Sequence, residues 1–458
     1  MMCARFLLSS IKNSCLALFV ACAALANAQG ATIKEVYGFA LGWTNADPNG
    51  LVFASDGYFY GTTANAGVAG FGTVFRMSTN GVFTNLFEFA NTNGNAPSAA
   101  LTQGADKAFY GTALFGGKGE AGTVFRITTN GQFSTVATFY QTNGIYPHSS
   151  LLVTGPGTFV GTTIAGGVYG FGTVFRVATN GALTILASFD GTNGAFPYAG
   201  LAFGSDGALY GTTSNGGENS YGTLFRLATN GVFTTLLSLD GTNGASPYAG
   251  LTPGNDGNLY GTTYAGGVND YGTVFRITTN GVLTTLVSFQ YANGAYPRSE
   301  LTLGNNGKFY GTTYGGGIDD DGTIFQISAN GELETLSFFD NTNGALSHTP
   351  LTLVNGVLYG TAEEGGSLAG GSVFSLTLDV INTNLLKGVM LPLLRAGNSW
   401  TVRLSGASPG GTYQLQRATT LLGPWIVLTN ITAALDGTAQ TTDAAPPSRG
   451  AFYRAASQ

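Results

Sequence analysis

Residues 251 to 300 read LTPGNDGNLYGTTYAGGVNDYGTVFRITTNGVLTTLVSFQYANGAYPRSE, and the fold follows from how this stretch divides. Leu251 to Gly254 is a short first strand, closed by the turn residues Asn255-Asp256-Gly257. Asn258 to Thr263 is a second strand, carrying Leu-Tyr-Gly-Thr-Thr. A glycine-rich loop from Tyr264 to Tyr271 leads to a third strand, Gly272 to Thr278, and Asn280-Gly281 turns the chain into a fourth, Val282 to Phe289. Asn-Gly tolerates positive φ at both centres of a type I′ turn, which predicts a tight hairpin there. No window sustains the apolar period of a helix, so four antiparallel strands are expected.

The unit recurs along the chain. Gly-Thr-aliphatic-Phe begins at Gly72, Gly122, Gly172, Gly222, Gly272 and Gly322, every 50 residues, and closes one residue early as Gly371-Ser372-Val373-Phe374. Gly-Thr preceded by Tyr, or once by Val, marks Tyr60, Tyr110, Val160, Tyr210, Tyr260, Tyr310 and Tyr359. Repeated four-stranded units of about 40 to 50 residues are the signature of a β-propeller, whose radial closure leaves only short edges exposed. Ala31 to Phe39 aligns with a fourth strand, while the last unit, Leu351 to Leu378, stops after three. One strand from the start and three from the end complete a seventh blade, a clasp that offsets the entropy of closing the ring. The expected fold is all-β: a seven-bladed β-propeller with 1+3 strand closure over 29–379, a linker over 380–394, and a small C-terminal β-sandwich-like domain over 395–458.

Composition agrees. The 458 residues include 71 glycines and only 9 % charged residues, far from ordinary globular usage, yet 43 % hydrophobic residues exclude a disordered chain. Residues 1–28 read as a secretory signal, with Arg5 and Lys12 before an apolar run and Ala26-Asn27-Ala28 at the cleavage position, so the mature chain is expected to start at Gln29 and to be exported. The only cysteines, Cys3, Cys15 and Cys22, fall in that segment, which removes disulfides and thiolate chemistry from the mature chain. Without Arg5 and Lys12 the 18 basic residues become 16 against 24 acidic, a balance that excludes a nucleic-acid partner. No segment after the signal is long and apolar enough to span a membrane, and a monomer is expected.

Leu-Tyr-Gly-Thr-Thr, Gly-Gly, Gly-Thr-Val-Phe-Arg and Asn-Gly together resemble the Gloeo-Verruco (GloVer) tandem repeat of secreted bacterial proteins. The resemblance implies a secreted or cell-surface location and implies no activity. Kelch repeats share the period, but their Trp-containing motif order is not reproduced. In the tail, Trp400 to Leu404, Tyr413 to Arg417, Trp425 to Thr429, Thr438 to Thr442 and Phe452 to Ala455 alternate like short strands. This pattern resembles the fibronectin-type modules appended to secreted repeat proteins.

Propeller geometry places the tight turns on one face and the second-to-third and inter-blade loops on the other. Residues that vary between repeats concentrate in those longer loops, which makes that face the expected recognition surface. Tyr264, Tyr314, Tyr221, Tyr271, Tyr198 and Tyr248 are the candidate ligand-binding residues, since flat rings beside carboxylates and amides suit sugars; sealing of blade interfaces is their structural alternative. Asp270, Asp319, Asp320, Asp321, Glu363 and Glu364 form an acidic sector that could hold calcium or simply solvate the rim. The repeated Arg76, Arg126, Arg176, Arg226 and Arg276 are expected to pair or stack between blades, and the Asp-Gly pairs at Asp56, Asp206 and Asp256 to serve turns. His148 and His348 lie four blades apart, a separation that argues against joint chemistry. Gly-x-Ser-x-Gly, His-Glu-x-x-His and Gly-x-x-x-x-Gly-Lys are all absent. The reading is a non-enzymatic protein that binds glycan or protein through the long-loop face, with no required cofactor. A carbohydrate-active lyase or hydrolase using the acidic sector of blades four to seven is the alternative.

Overall fold

A computed structural model describes residues 32–40 and 46–378, together with six strands beyond residue 388; the expected signal segment lies outside the described residues. Blade five consists of Thr252–Pro253, Leu259–Thr263, Thr273–Ile277 and Leu283–Ser288, antiparallel in chain order. Blades one to four and six repeat this order over 52–88, 102–138, 152–188, 202–238 and 302–338. The seventh sheet runs Ile33–Ala40, Ala369–Thr377, Val357–Ala362, Thr352–Val354, so the first strand of the chain is the outer strand of the last blade. The fold is thus a seven-bladed, all-β propeller with the expected clasp, and no α-helix occurs among the described residues.

The repeated motifs do structural work. Gly261 pairs across the sheet with Phe275, and a Cβ there would meet Phe275 Cζ at 2.6 Å and Leu251 Cδ2 at 2.9 Å. Glycine is therefore required by ring packing inside the blade. In blades one to six the first Thr after this glycine bonds the segment entering the next blade, as Thr162 Oγ1 does to the Ala199 carbonyl at 2.8 Å; Thr361 of blade seven pairs instead with Thr349 of its own entry. Where a second Thr follows, it pairs with the Thr of the third strand; Thr263 and Thr273 Oγ1 lie 2.9 Å apart in a buried site. Satisfied hydroxyl pairs permit close packing without charge, which accounts for the low charged fraction.

Aromatic rings seal the seams between blades. Tyr60 stacks on Phe109 at 4.1 Å, Tyr260 on Phe309 at 4.1 Å, and the ring closes where Tyr359 meets Phe59 at 4.5 Å. Burial of each such side chain contributes about 1.5–3 kcal/mol. The Thr352 hydroxyl also crosses the closing seam to the Leu51 carbonyl at 2.6 Å.

Two local expectations need correction. The Asn280-Gly281 turn is not type I′: only Gly281 has positive φ, at 90°. Gly281 N bonds the Thr278 carbonyl and Thr278 N bonds the Val282 carbonyl, giving a three-residue loop that ends in a left-handed glycine. Nor do the observed pairs of the repeated arginines run between blades. Arg126 binds Asp106 at 2.8 Å and Arg226 binds Asp206 at 2.6 Å, within one blade. The same aspartates hold the first turn and accept from Tyr110 and Tyr210 hydroxyls, both at 3.0 Å.

The remaining unit, Asp379–Gln458, contains two three-stranded antiparallel sheets. One joins Val389–Ala396, Ser399–Ser405 and Ala439–Asp443; the other joins Ile426–Thr432, Thr412–Ala418 and Phe452–Ser457. Val389–Ala396 occupies part of the stretch read as linker, and its register shifts between Leu391 and Leu394, where Pro392 supplies no N–H.

Candidate functional site

Each blade is entered by a segment descending along the propeller axis. In it, the residue before the proline or serine adopts a left-handed backbone: Asp47, Ala96, Tyr146, Phe196, Ser246, Tyr296 and Leu346, with φ between 50° and 62°. The amide of that residue is usually tied to the preceding blade, as Tyr296 N is to the Tyr271 carbonyl at 2.9 Å. This fixed entry aims the following side chains, among them His148, Tyr198, Tyr248, Arg298 and His348, into one mouth. The residue after Gly-Thr-Thr in blades five and six, and after Gly-Thr-Ala in blade seven, reaches the same mouth from the second-to-third loop: Tyr264, Tyr314 and Glu363 stand at equivalent positions.

Arg298 is the hub. Its guanidinium carbon lies 4.3 Å from the Tyr314 ring centre, 4.8 Å from Tyr264 and 5.7 Å from Tyr248, and its shielded Nε has no hydrogen-bond partner. Tyr198 meets Tyr248 edge-on at 5.1 Å, and Tyr248 meets Tyr264 at 5.4 Å. The Tyr314 hydroxyl donates to Glu363 Oε2 at 3.2 Å. Burial, and then the Glu363 charge, pushes the Tyr314 phenol up to about 12. Beyond Glu363 lies His348, with Nδ1 at 3.6 Å from Glu363 Oε2 and Nε2 at 3.7 Å from Asp47 Oδ1. On the other side, His148 Nδ1 donates to the Tyr198 carbonyl at 3.3 Å. Burial pushes the His148 imidazole down to about 4, and the charge of His348 acts in the same direction.

Of the six candidate tyrosines, Tyr198, Tyr248, Tyr264 and Tyr314 line this mouth. Tyr271 reaches it indirectly through Tyr296, at 5.8 Å, which itself stacks on Tyr264 at 5.0 Å. Tyr221 stands apart beside Gly241 and is exposed. Of the six carboxylates, Glu363 joins the mouth. Asp270 and Asp320 each accept their own loop amide, from Gly266 and Gly316, at 2.8 Å. Asp321 is pushed up by burial and by Asp319, Asp320, Asp340 and Glu364. The Glu364 backbone pairs with Ala345, and Asp319 is exposed. Among the described residues, Asp47, His348 and Glu363 form a group able to hold a metal, with donor atoms within 4.8 Å of one another. Asp47 and Arg298 were not singled out from the sequence; the available signal was that each replaces an uncharged residue in most equivalent positions.

Comparison with known proteins supports the architecture. Residues 26–167 and 203–387 match the Gloeobacter/Verrucomicrobia repeat. No curated protein matches the chain. Among solved structures, a puromycin hydrolase is 14 % identical with a TM-score of 0.50, over 81 % of this chain and 62 % of that one. A gluconolactonase from Xanthomonas campestris is 15 % identical, TM-score 0.39, over 63 % and 87 %, and the BP39L lectin from Burkholderia pseudomallei is 10 % identical, TM-score 0.49, over 76 % and 96 %. Of these, only the puromycin hydrolase reaches a TM-score of 0.50, and at 14 % identity that likeness is one of fold alone.

Proposed function

Taking as premise that the chain belongs to the Gloeobacter/Verrucomicrobia repeat family, we propose that it is an exported binding protein whose axial mouth takes a polyhydroxylated ligand of the glycan class. One observation carries this reading: Arg298, with an unpaired Nε, sits among the rings of Tyr248, Tyr264 and Tyr314 beside the Glu363 carboxylate. Rings cover the apolar face of a sugar while guanidinium, phenol and carboxylate groups meet its hydroxyls. Export rests on the N-terminal segment and predicts a mature protein beginning at Gln29, checked by intact mass. The tail unit serves as a spacer or docking module.

A glycan array with the mature protein, alongside a Tyr264→Ala/Tyr314→Ala variant of unchanged melting temperature, tests the site. Selective binding lost in the variant is expected. No bound glycan, or identical profiles, overturns the reading and leaves a protein ligand in its place. The hydrolase or lyase alternative draws on Asp321, a carboxyl held up by burial and neighbouring carboxylates. It requires release of reducing ends or unsaturated products from a polysaccharide, abolished by Asp321→Asn.

A further inference from the structure

We propose that Asp47, His348 and Glu363 form a binding site for a first-row divalent transition cation of the zinc class, at the seam where the propeller ring closes. Three observations converge. The ligating atoms, one from each residue, lie within 4.8 Å of one another. Asp47 Oδ1 is shielded from solvent and has no hydrogen-bond partner; the nearest ring nitrogen, His348 Nε2, is 3.7 Å away, too long for a hydrogen bond. A shielded carboxylate oxygen with no donor is costly, and a cation removes that cost. Finally, Glu363 is already oriented from outside the group, because the Tyr314 hydroxyl donates to its Oε2 at 3.2 Å. Partners of this kind fix the direction of a metal-ligating carboxylate.

The repeat makes the coincidence specific. At the positions equivalent to Asp47 the other blades carry Ala96, Tyr146, Phe196, Ser246, Tyr296 and Leu346, none of which ligates through a carboxylate or imidazole. Asp47 enters blade one, His348 enters blade seven and Glu363 belongs to the loop of blade seven, so the three meet only across the closing seam. One imidazole with two carboxylates suits zinc, cobalt or manganese, whereas calcium takes oxygen ligands alone. Metal–ligand distances of about 2.0–2.2 Å require the widest donor pair to close by roughly half an ångström or more, within reach of carboxylate rotation. Without metal, the same geometry leaves the His348 ring between two carboxylates, at 3.6 and 3.7 Å. The proposal is independent of sugar recognition, because metal uptake is read with no glycan present.

Untagged mature protein is titrated calorimetrically with zinc chloride in a non-chelating buffer, and with cobalt chloride while visible absorption is recorded. One equivalent bound, a higher melting temperature with zinc, and cobalt bands of a nitrogen-ligated site are expected. His348→Ala, Asp47→Asn and Glu363→Gln should each weaken binding at least tenfold, whereas His148→Ala should not. Glu363→Gln keeps an oxygen for the Tyr314 hydroxyl and decides the matter should His348→Ala fail to fold. No uptake by the wild type, or uptake unchanged in Glu363→Gln or transferred to dependence on His148, overturns the proposal.

Discussion

Glu300 offers the sharpest test of the axial packing. Positions 50, 100, 150, 200, 250, 300 and 350 carry Gly, Ala, Ser, Gly, Gly, Glu and Pro. They touch in sequence around the axis: a Cβ on Gly50 would meet Ala100 Cβ at 3.0 Å and Pro350 Cδ at 3.3 Å, and one on Gly250 would meet Glu300 Oε2 at 3.1 Å. The Glu300 carboxylate thus fills room left by a missing side chain on the preceding blade. It keeps some surface toward the axis, yet enclosure by protein pushes its carboxyl from 4.5 to about 7. A folded pKa above the unfolded one means that the contribution to stability is fully present below pH 4.5 and is lost as pH rises through about 7. Glu300→Gln, which stays neutral, should match the wild type near pH 4 and exceed it by up to about 3 kcal/mol at pH 8. A propeller of roughly 350 residues changes stability by about 0.7 kcal/mol per degree at its midpoint, so the gap is about 4 °C. Thermal melts of both proteins from pH 4 to pH 9 measure it. Parallel curves, with a difference independent of pH, would refute the enclosure argument.

Three further outcomes follow from named contacts. The His148 imidazole, pushed down to about 4 by burial, has the opposite sign: its contribution is full above about pH 6.5 and is lost as pH falls through 4, so His148→Gln should flatten the acid limb of the same melts. Gly261→Ala should cost about 1–3 kcal/mol by driving a methyl into Phe275, while Gly155→Ala, with nothing within 4 Å, should be silent; denaturant midpoints separate them. Removing the chain through Ala40 strips the outer strand from blade seven and its Glu35 bonds to Ser367 N and Oγ, both 2.6 Å. The melt should broaden and fall, and an added peptide covering 32–40 should restore it; an unchanged melt would mean the clasp contributes nothing.

The propeller was legible because the repeat states each strand seven times, and strand bounds such as Leu259–Thr263 fall within a residue of the sequence reading. The Asn-Gly turn misled because that dipeptide fits both a two-residue loop and a three-residue loop with one left-handed glycine. What selects between them is hairpin register, here Ile277 opposite Leu283, which no local motif states. The mouth was half legible. Departures from the repeat pointed to Tyr264 and Tyr314, but radial position decides which departures meet, and Tyr221 departs equally while standing at the rim. Asp47 was hidden because its segment is one residue shorter than the others, Pro48 preceding Leu51 by three positions where Pro97 precedes Leu101 by four. His348 was weighed only against His148, whereas its neighbours are Asp47 and Glu363, which the repeat register alone does not bring beside it.

The clasp also orders events in time. Ile33–Ala40 is synthesised first, yet its partner, Ala369–Thr377, comes more than 330 residues later, as the Glu35–Ser367 and Lys34–Ser375 bonds record. Six blades can form from neighbouring segments while this strand waits unpaired, and the slowest step in folding should be its capture. During that wait the propeller region carries a free strand at its start and a three-stranded blade lacking its outer strand at its close. Two such chains side by side hold two complementary halves, so at high concentration the same surfaces that lock the ring would exchange partners between molecules.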